Sequence, residues 1–134
     1  MKNKILAIVS HPDDEIIGCG GTLIKHRKSG DKVKVIFTSE SELARNKDLF
    51  IAKKKSEYRQ KIALSVSKIL KFEKPIFLNF NNLSLTRSDV TNMNGKLREI
   101  IKSYKPSIVY THSQKDIHHD HRKTFEATII ATKP

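Results

Sequence analysis

Ser10-His11-Pro12-Asp13-Asp14-Glu15 ends an apolar run with an imidazole and three acids, a combination that packing does not require. Further along, His112 is followed by His118-His119-Asp120-His121, so five of the six histidines fall in two short segments. A cation such as Zn2+ takes imidazole nitrogen and carboxylate oxygen, and a catalytic site pairs about three protein ligands with an open position. His11, Asp14 and one histidine of the second segment would make such a two-histidine, one-carboxylate set. Asp13 is then left to take a proton from the activated water, which gives the two adjacent acids separate roles. The competing readings are bland ones. HPDDE also suits a helix start, with Pro12 in the first turn and acids favoured by the dipole. HHDH also suits a solvated turn. Glu15 is expected to support, either at the helix start or as partner to a ligand.

Strands are expected at Lys4–Ser10, Val33–Thr38, Pro75–Leu78 and Ser107–Thr111. Helices are expected over Thr22–Ser29, Asp48–Leu70, Val90–Tyr104 and about Arg122–Ala131, the second with Ile62, Val66, Ile69 and Leu70 as its apolar stripe. Alternating strands and helices predict an α/β fold, Rossmann-like, with a mainly parallel sheet and helices on both faces. Ligands in such folds sit beyond the carboxyl ends of the strands. The loops after the first and fourth strands carry the two histidine segments, so the fold would bring them to one edge. Gly18-Cys19-Gly20-Gly21 is not a dinucleotide fingerprint, because the third glycine would have to stand at Leu23 and two carboxylates would repel a pyrophosphate. These glycines are expected to let the first helix approach its strand closely, with Cys19 a small packed side chain.

The chain of 134 residues fits one domain, residues 1–134, and its single cysteine offers no internal disulfide. No apolar stretch approaches the ~20 residues of a membrane span, so a cytoplasmic protein is expected. The formal charge of +12 is spread over many lysines, densest at Lys53-Lys54-Lys55 with Arg59 and Lys61 following. With few aromatics interleaved, this reads as a solvated helix face, and nucleic acid is not an expected partner.

HPDDEIIGCGGT after the first strand, Thr38-x-Glu40 after the second, Arg59 on the long helix and KPSIVYTHSQKDIHHDHR near the end together resemble the LmbE-like, GlcNAc-PI de-N-acetylase (PIG-L) family. The resemblance implies a zinc-dependent hydrolase, or one using another divalent cation, that removes the acetyl group from an N-acetylglucosamine-type sugar conjugate with metal-activated water. It implies His11, Asp14 and His121 as metal ligands and Asp13 as general base. His118 is implied to polarise the amide carbonyl, with its charge held by Asp120. Arg59 and His112 are the expected substrate-side residues. The expected partner is an amino sugar or glycoconjugate, together with a homo-oligomer or partner chain at an open sheet edge. This sequence departs from the family pattern with Ile62 where glutamate is usual, Lys71 where glycine is usual and His119 where proline is frequent. It also resembles the family without its usual C-terminal extension. The alternative to an active enzyme is therefore a metal-binding but inactive remnant, or a half-domain needing a partner chain.

Overall fold

The computed structural model describes residues 2–40, 42–81 and 83–134. The apolar run becomes strand β1 (Lys4–Val9), buried from Ile5 onward. A strand apolar on both faces needs cover on both, and it receives it. Three more strands, β2 (Lys32–Ser39), β3 (Ile76–Phe80) and β4 (Ile108–Thr111), complete a sheet of order β3-β2-β1-β4 in which every pairing is parallel. Helices α1 (Asp14–Lys28), α2 (Leu49–Ile69), α3 (Arg87–Tyr104) and α4 (His119–Ala131) alternate with the strands.

Successive β1 side chains feed two cores, as the two-residue period of a strand dictates. Ile5, Ala7 and Val9 pack with Leu23 of α1 and Ala63 of α2. Leu6 and Ile8 pack with Val90, Met93 and Leu97 of α3 and with Ala127 and Ala131 of α4. This is the expected α/β fold with helices on both faces. β2 and β3 lie on one side of β1 and β4 on the other, so the order reverses between β1 and β4 and a crevice opens at their carboxyl ends.

Caps fix several helix ends. The Asp48 side chain accepts from the N–H groups of Phe50 and Ile51 at the start of α2, and Thr86 with Asp89 forms a reciprocal capping box on α3. α3 is capped by Lys105, in the left-handed region with φ 54°, directly before Pro106.

Four expectations are overturned. α1 begins at Asp14 rather than Thr22, because burial of Glu15, Gly20 and Leu23 outweighs the low helix propensity of three glycines. Those glycines do not mediate close approach: a Cβ at Gly18 or Gly21 would meet nothing within 4 Å, and one at Gly20 only ordinary contacts in its own helix. On α2 the buried positions are Ala52, Ala63 and Ser67, whereas Ile62 and Ile69 are exposed. α4 also begins earlier than expected, at His119 instead of Arg122, which places Asp120 and His121 in its first turn rather than in a loop. Among the described residues no helix is long and apolar enough to cross a membrane.

Candidate metal centre and active site

From Val9 the chain turns through Ser10–Asp13 into α1. Asp13 takes φ 143° and ψ −28°, a region that residues bearing a Cβ rarely adopt and that costs on the order of 1–3 kcal/mol. Several contacts hold it there. Its N–H donates to Glu15 Oε2 at 3.1 Å, and its carbonyl accepts from the Ile16 and Ile17 N–H groups at 3.0 Å each. Arg59 of α2 donates to Asp13 Oδ2 at 2.7 Å, to the Pro12 carbonyl at 3.0 Å and to Glu42 Oε1 at 3.3 Å. The guanidinium of Arg59 is thus engaged with the protein at the turn itself. Burial pushes the Glu15 carboxyl up to about 6, and its contact is to Asp13, not to a histidine.

At the head of α1, Asp14 Oδ2 accepts from the His11 N–H at 2.8 Å. The same oxygen lies 3.4 Å from His11 Nδ1, 3.2 Å from His121 Nε2 and 3.6 Å from His112 Nε2. Each of the first two histidines has a second carboxylate behind it. His11 Nε2 stands 2.9 Å from Asp120 Oδ2, and His121 Nδ1 stands 2.9 Å from Asp116 Oδ2. A carboxylate on the far nitrogen fixes a ligating imidazole's tautomer and raises its basicity. Asp120 is itself held by the Leu83 N–H, which donates to Oδ1 at 2.8 Å.

The other two histidines are bonded differently. His118 caps α4, its Nδ1 accepting the Asp120 N–H at 3.2 Å, so its own proton resides on Nε2. His112 Nε2 accepts the Ser10 N–H at 2.9 Å, and its ring stacks on His121 with centroids 3.9 Å apart. The Asp120 carboxylate therefore serves His11, and only its backbone meets His118. His119 points elsewhere, its Nε2 3.0 Å from the Leu85 carbonyl.

Electrostatics separate these groups further. Burial opposes charge on His11, yet the hydrogen bonds to Asp120 and Asp14 win and raise it to about 9. His121 is also raised, burial being outweighed by Asp14 and Asp116. Burial is likewise outweighed at Asp14, where His11 and His121 hold the carboxyl far below the usual range. Burial and the neighbouring His121 push His112 down to about 4, and the same two causes lower His118.

Two overlapping groups have one ligand atom per residue within 4.8 Å of the others: His11, His118 and His121, and Asp14, His112 and His121. Ligand atoms on one tetrahedral Zn2+ at ~2.0–2.2 Å stand about 3.3–3.6 Å apart. The 3.2 and 3.4 Å separations around Asp14 match that spacing, and a set of imidazole nitrogens and carboxylate oxygen suits the ion. The cavity over these groups, about 180 Å3, is also lined by Asp13, Arg45, Arg59 and Leu83. Asp116, Glu42 and Arg45 are the residues that sequence reasoning missed. Asp116 had a signal, a carboxylate five residues before His121. Glu42 and Arg45 had none, lying in a polar loop of ordinary composition.

An aspartate and carboxylate-backed histidines thus converge at the switch point of a parallel α/β sheet, a donor set that could hold a metal ion. The model of one family, PIG-L (GlcNAc-PI de-N-acetylase), matches residues 6–132, and the chain belongs to that family. A probable N-acetyl-alpha-D-glucosaminyl L-malate deacetylase 2 of Bacillus subtilis (strain 168) is 29% identical over 135 residues, covering 98% of this chain and 61% of that protein. An uncharacterized deacetylase, YaiS, of Escherichia coli (strain K12) is 29% identical over 137 residues, covering 98% of this chain and 69% of its own. Among solved structures, GalB, the 4-carboxy-2-hydroxymuconate hydratase of Pseudomonas putida KT2440, superposes with a TM-score of 0.83 at 22% identity, over 98% of this chain and 55% of that one. That likeness is one of fold. The chain spans about three fifths of the length of the Bacillus relative.

Proposed function

We propose that this chain is a zinc-dependent N-deacetylase acting on an N-acetylglucosamine-type sugar conjugate. The observation that carries the reading is the convergence of two carboxylate-backed histidines, His11 and His121, on Asp14. These three are the proposed metal ligands. His118 and His112 each spend a lone pair on a backbone N–H, which argues against either as a ligand. Bound there, Zn2+ would supply Lewis acidity, acidifying water and polarising the acetyl carbonyl.

The chain's own groups supply the proton chemistry. Asp13 takes a proton as the water oxygen bonds to the acetyl carbon. Neutral His118 donates a hydrogen bond from Nε2 to the carbonyl oxygen as negative charge develops on it. Asp13 then passes its proton to the nitrogen as the C–N bond breaks, releasing acetate and the free amine. Asp120 orients His11, Asp116 orients His121, and His112 walls the site against His121. The Arg59 contacts support a positioning role on Asp13 in place of the substrate-side role expected of it. The Bacillus relative's name supports an amino-sugar substrate.

A second reading, a metal-binding domain whose pocket another chain completes, is favoured by the openness of the site, where the Asp13 side chain is 49% exposed. Elemental analysis of the purified chain, paired with amine release from N-acetylglucosamine conjugates, separates the two. About one zinc per chain with amine release supports the deacetylase. Zinc without release supports the second reading, and a folded chain that binds no zinc sinks both.

A further inference from the structure

A groove of about 480 Å3 lies between α1 and α2, lined by Ile16, Ile17, Tyr58, Ile62, Ala63 and Val66. Asp13, Ile17 and Arg59 line both this groove and the histidine cavity, so the two hollows share a wall. The side chains on the groove are unusually wet for their type, with Ile17 81% and Tyr58 65% exposed. Apolar surface gathered beside a polar site, and not scattered, is the mark of a binding surface. Asp13 and Arg59, the charged pair shared by groove and site, stand 2.7 Å apart, and the Glu15 carboxyl that also lines the groove is buried. Away from that pair the exposed lining is largely apolar and favours hydrocarbon.

We infer that this groove takes an apolar substituent, an alkyl or aryl group, carried by the same substrate whose N-acetyl group enters the histidine cavity. The inference rests on the deacetylase reading. The groove falls in the ~300–1,000 Å3 range of small-molecule sites and, joined to the smaller cavity, suits an amphiphile with a sugar head. Full burial of one methylene tightens binding about 4-fold, so a half-open groove gives roughly 2-fold. Five added methylenes then amount to about 30-fold.

The experiment is isothermal titration of the metal-free chain with methyl and hexyl N-acetyl-β-D-glucosaminide, with turnover of both by the zinc-loaded chain measured alongside. Hexyl binding about 30-fold tighter than methyl, with the gap closing in Ile62→Glu and in Ile17→Ser, supports the groove. Both side chains are exposed, so neither variant puts the core at risk. Equal binding of the two glycosides overturns the groove, even where both are turned over and the deacetylase reading stands. A hexyl advantage without turnover upholds the groove while the deacetylase reading fails. Should sedimentation show a dimer that Ile62→Glu dissociates, with no hexyl advantage, the groove is an interface between copies and the proposal is wrong.

Discussion

Two histidine–aspartate groupings stand at opposite ends of the sheet and behave differently. Beside the amino ends of β1 and β2, His26 Nδ1 lies 2.7 Å from Asp31 Oδ2 and its Nε2 3.0 Å from the Tyr110 hydroxyl, while Asp31 Oδ1 accepts the Asn3 N–H. Both ring nitrogens are spent, and the cluster closes on itself as a clasp between α1, β4 and the chain before β2. At the carboxyl ends, His11 and His121 spend one nitrogen each on Asp120 and Asp116 and turn the other toward Asp14. The same residue types make a structural tie in one place and a convergent donor set in the other. What differs is whether a neutral partner such as a tyrosine hydroxyl satisfies the second nitrogen.

The largest effect expected at the open end is at Asp13, whose neighbourhood has no counterpart in the clasp. Asp13→Asn should lower kcat by ~10²–10⁴-fold while leaving zinc content unchanged, as steady-state kinetics and elemental analysis would show. An undiminished kcat would remove Asp13 as the base.

The carboxylates behind the histidines test the comparison itself. Asp116→Asn should weaken zinc binding by ~10–100-fold in a chelator competition. Asp31→Asn, the matching change in the clasp, should lower the melting temperature and leave zinc affinity as it was. If both changes weaken zinc alike, the two groupings are not functionally distinct.

Protonation sharpens the contrast further. His11 titrates near 9 in the metal-free fold against 6.5 unfolded, so its stabilising contribution is complete below pH 6.5 and is lost as pH rises through 9. Melting of the metal-free chain should therefore show a loss of roughly 3–4 kcal/mol over that window, at ~1.4 kcal/mol per pKa unit. Zinc competes with that proton, so zinc affinity should rise over the same interval. A flat stability profile would mean that His11 is neutral in the metal-free fold.

The smallest effect concerns the helix that carries Asp14. A Cβ at Gly18 meets open space, so Gly18→Ala should stabilise the chain by about 0.5–1 kcal/mol in thermal or denaturant unfolding without altering zinc affinity.

The strands were legible because a buried parallel strand is a run of apolar residues, as Ile5–Val9 is and Val33–Phe37 is apart from Lys34, and such runs have few other uses. Helix starts were less so. The glycines at 18, 20 and 21 argue locally for a loop, and only the burial of Glu15 at the turn and of Leu23 in the core makes α1 begin at Asp14. On α2 the apolar spacing pointed to Ile62 and Ile69, yet the sheet accepts the smaller Ala63 and Ser67, leaving the isoleucines outside. A local pattern says that a face exists, but the neighbour's shape decides which residues fit beneath it.

The sequence alone determined the chemistry on offer: an aspartate pair beside His11, a second histidine segment, and a strand–helix alternation that carries both to one sheet edge. The tertiary structure alone decided how each lone pair is used. Nitrogens of His11, His112, His118 and His121 are equivalent in the sequence, and only the fold assigns carboxylates to two of the rings and backbone N–H groups to the others. Hydrogen-bond direction depends on distances of a few tenths of an ångström between segments about 100 residues apart, and no local rule carries that information.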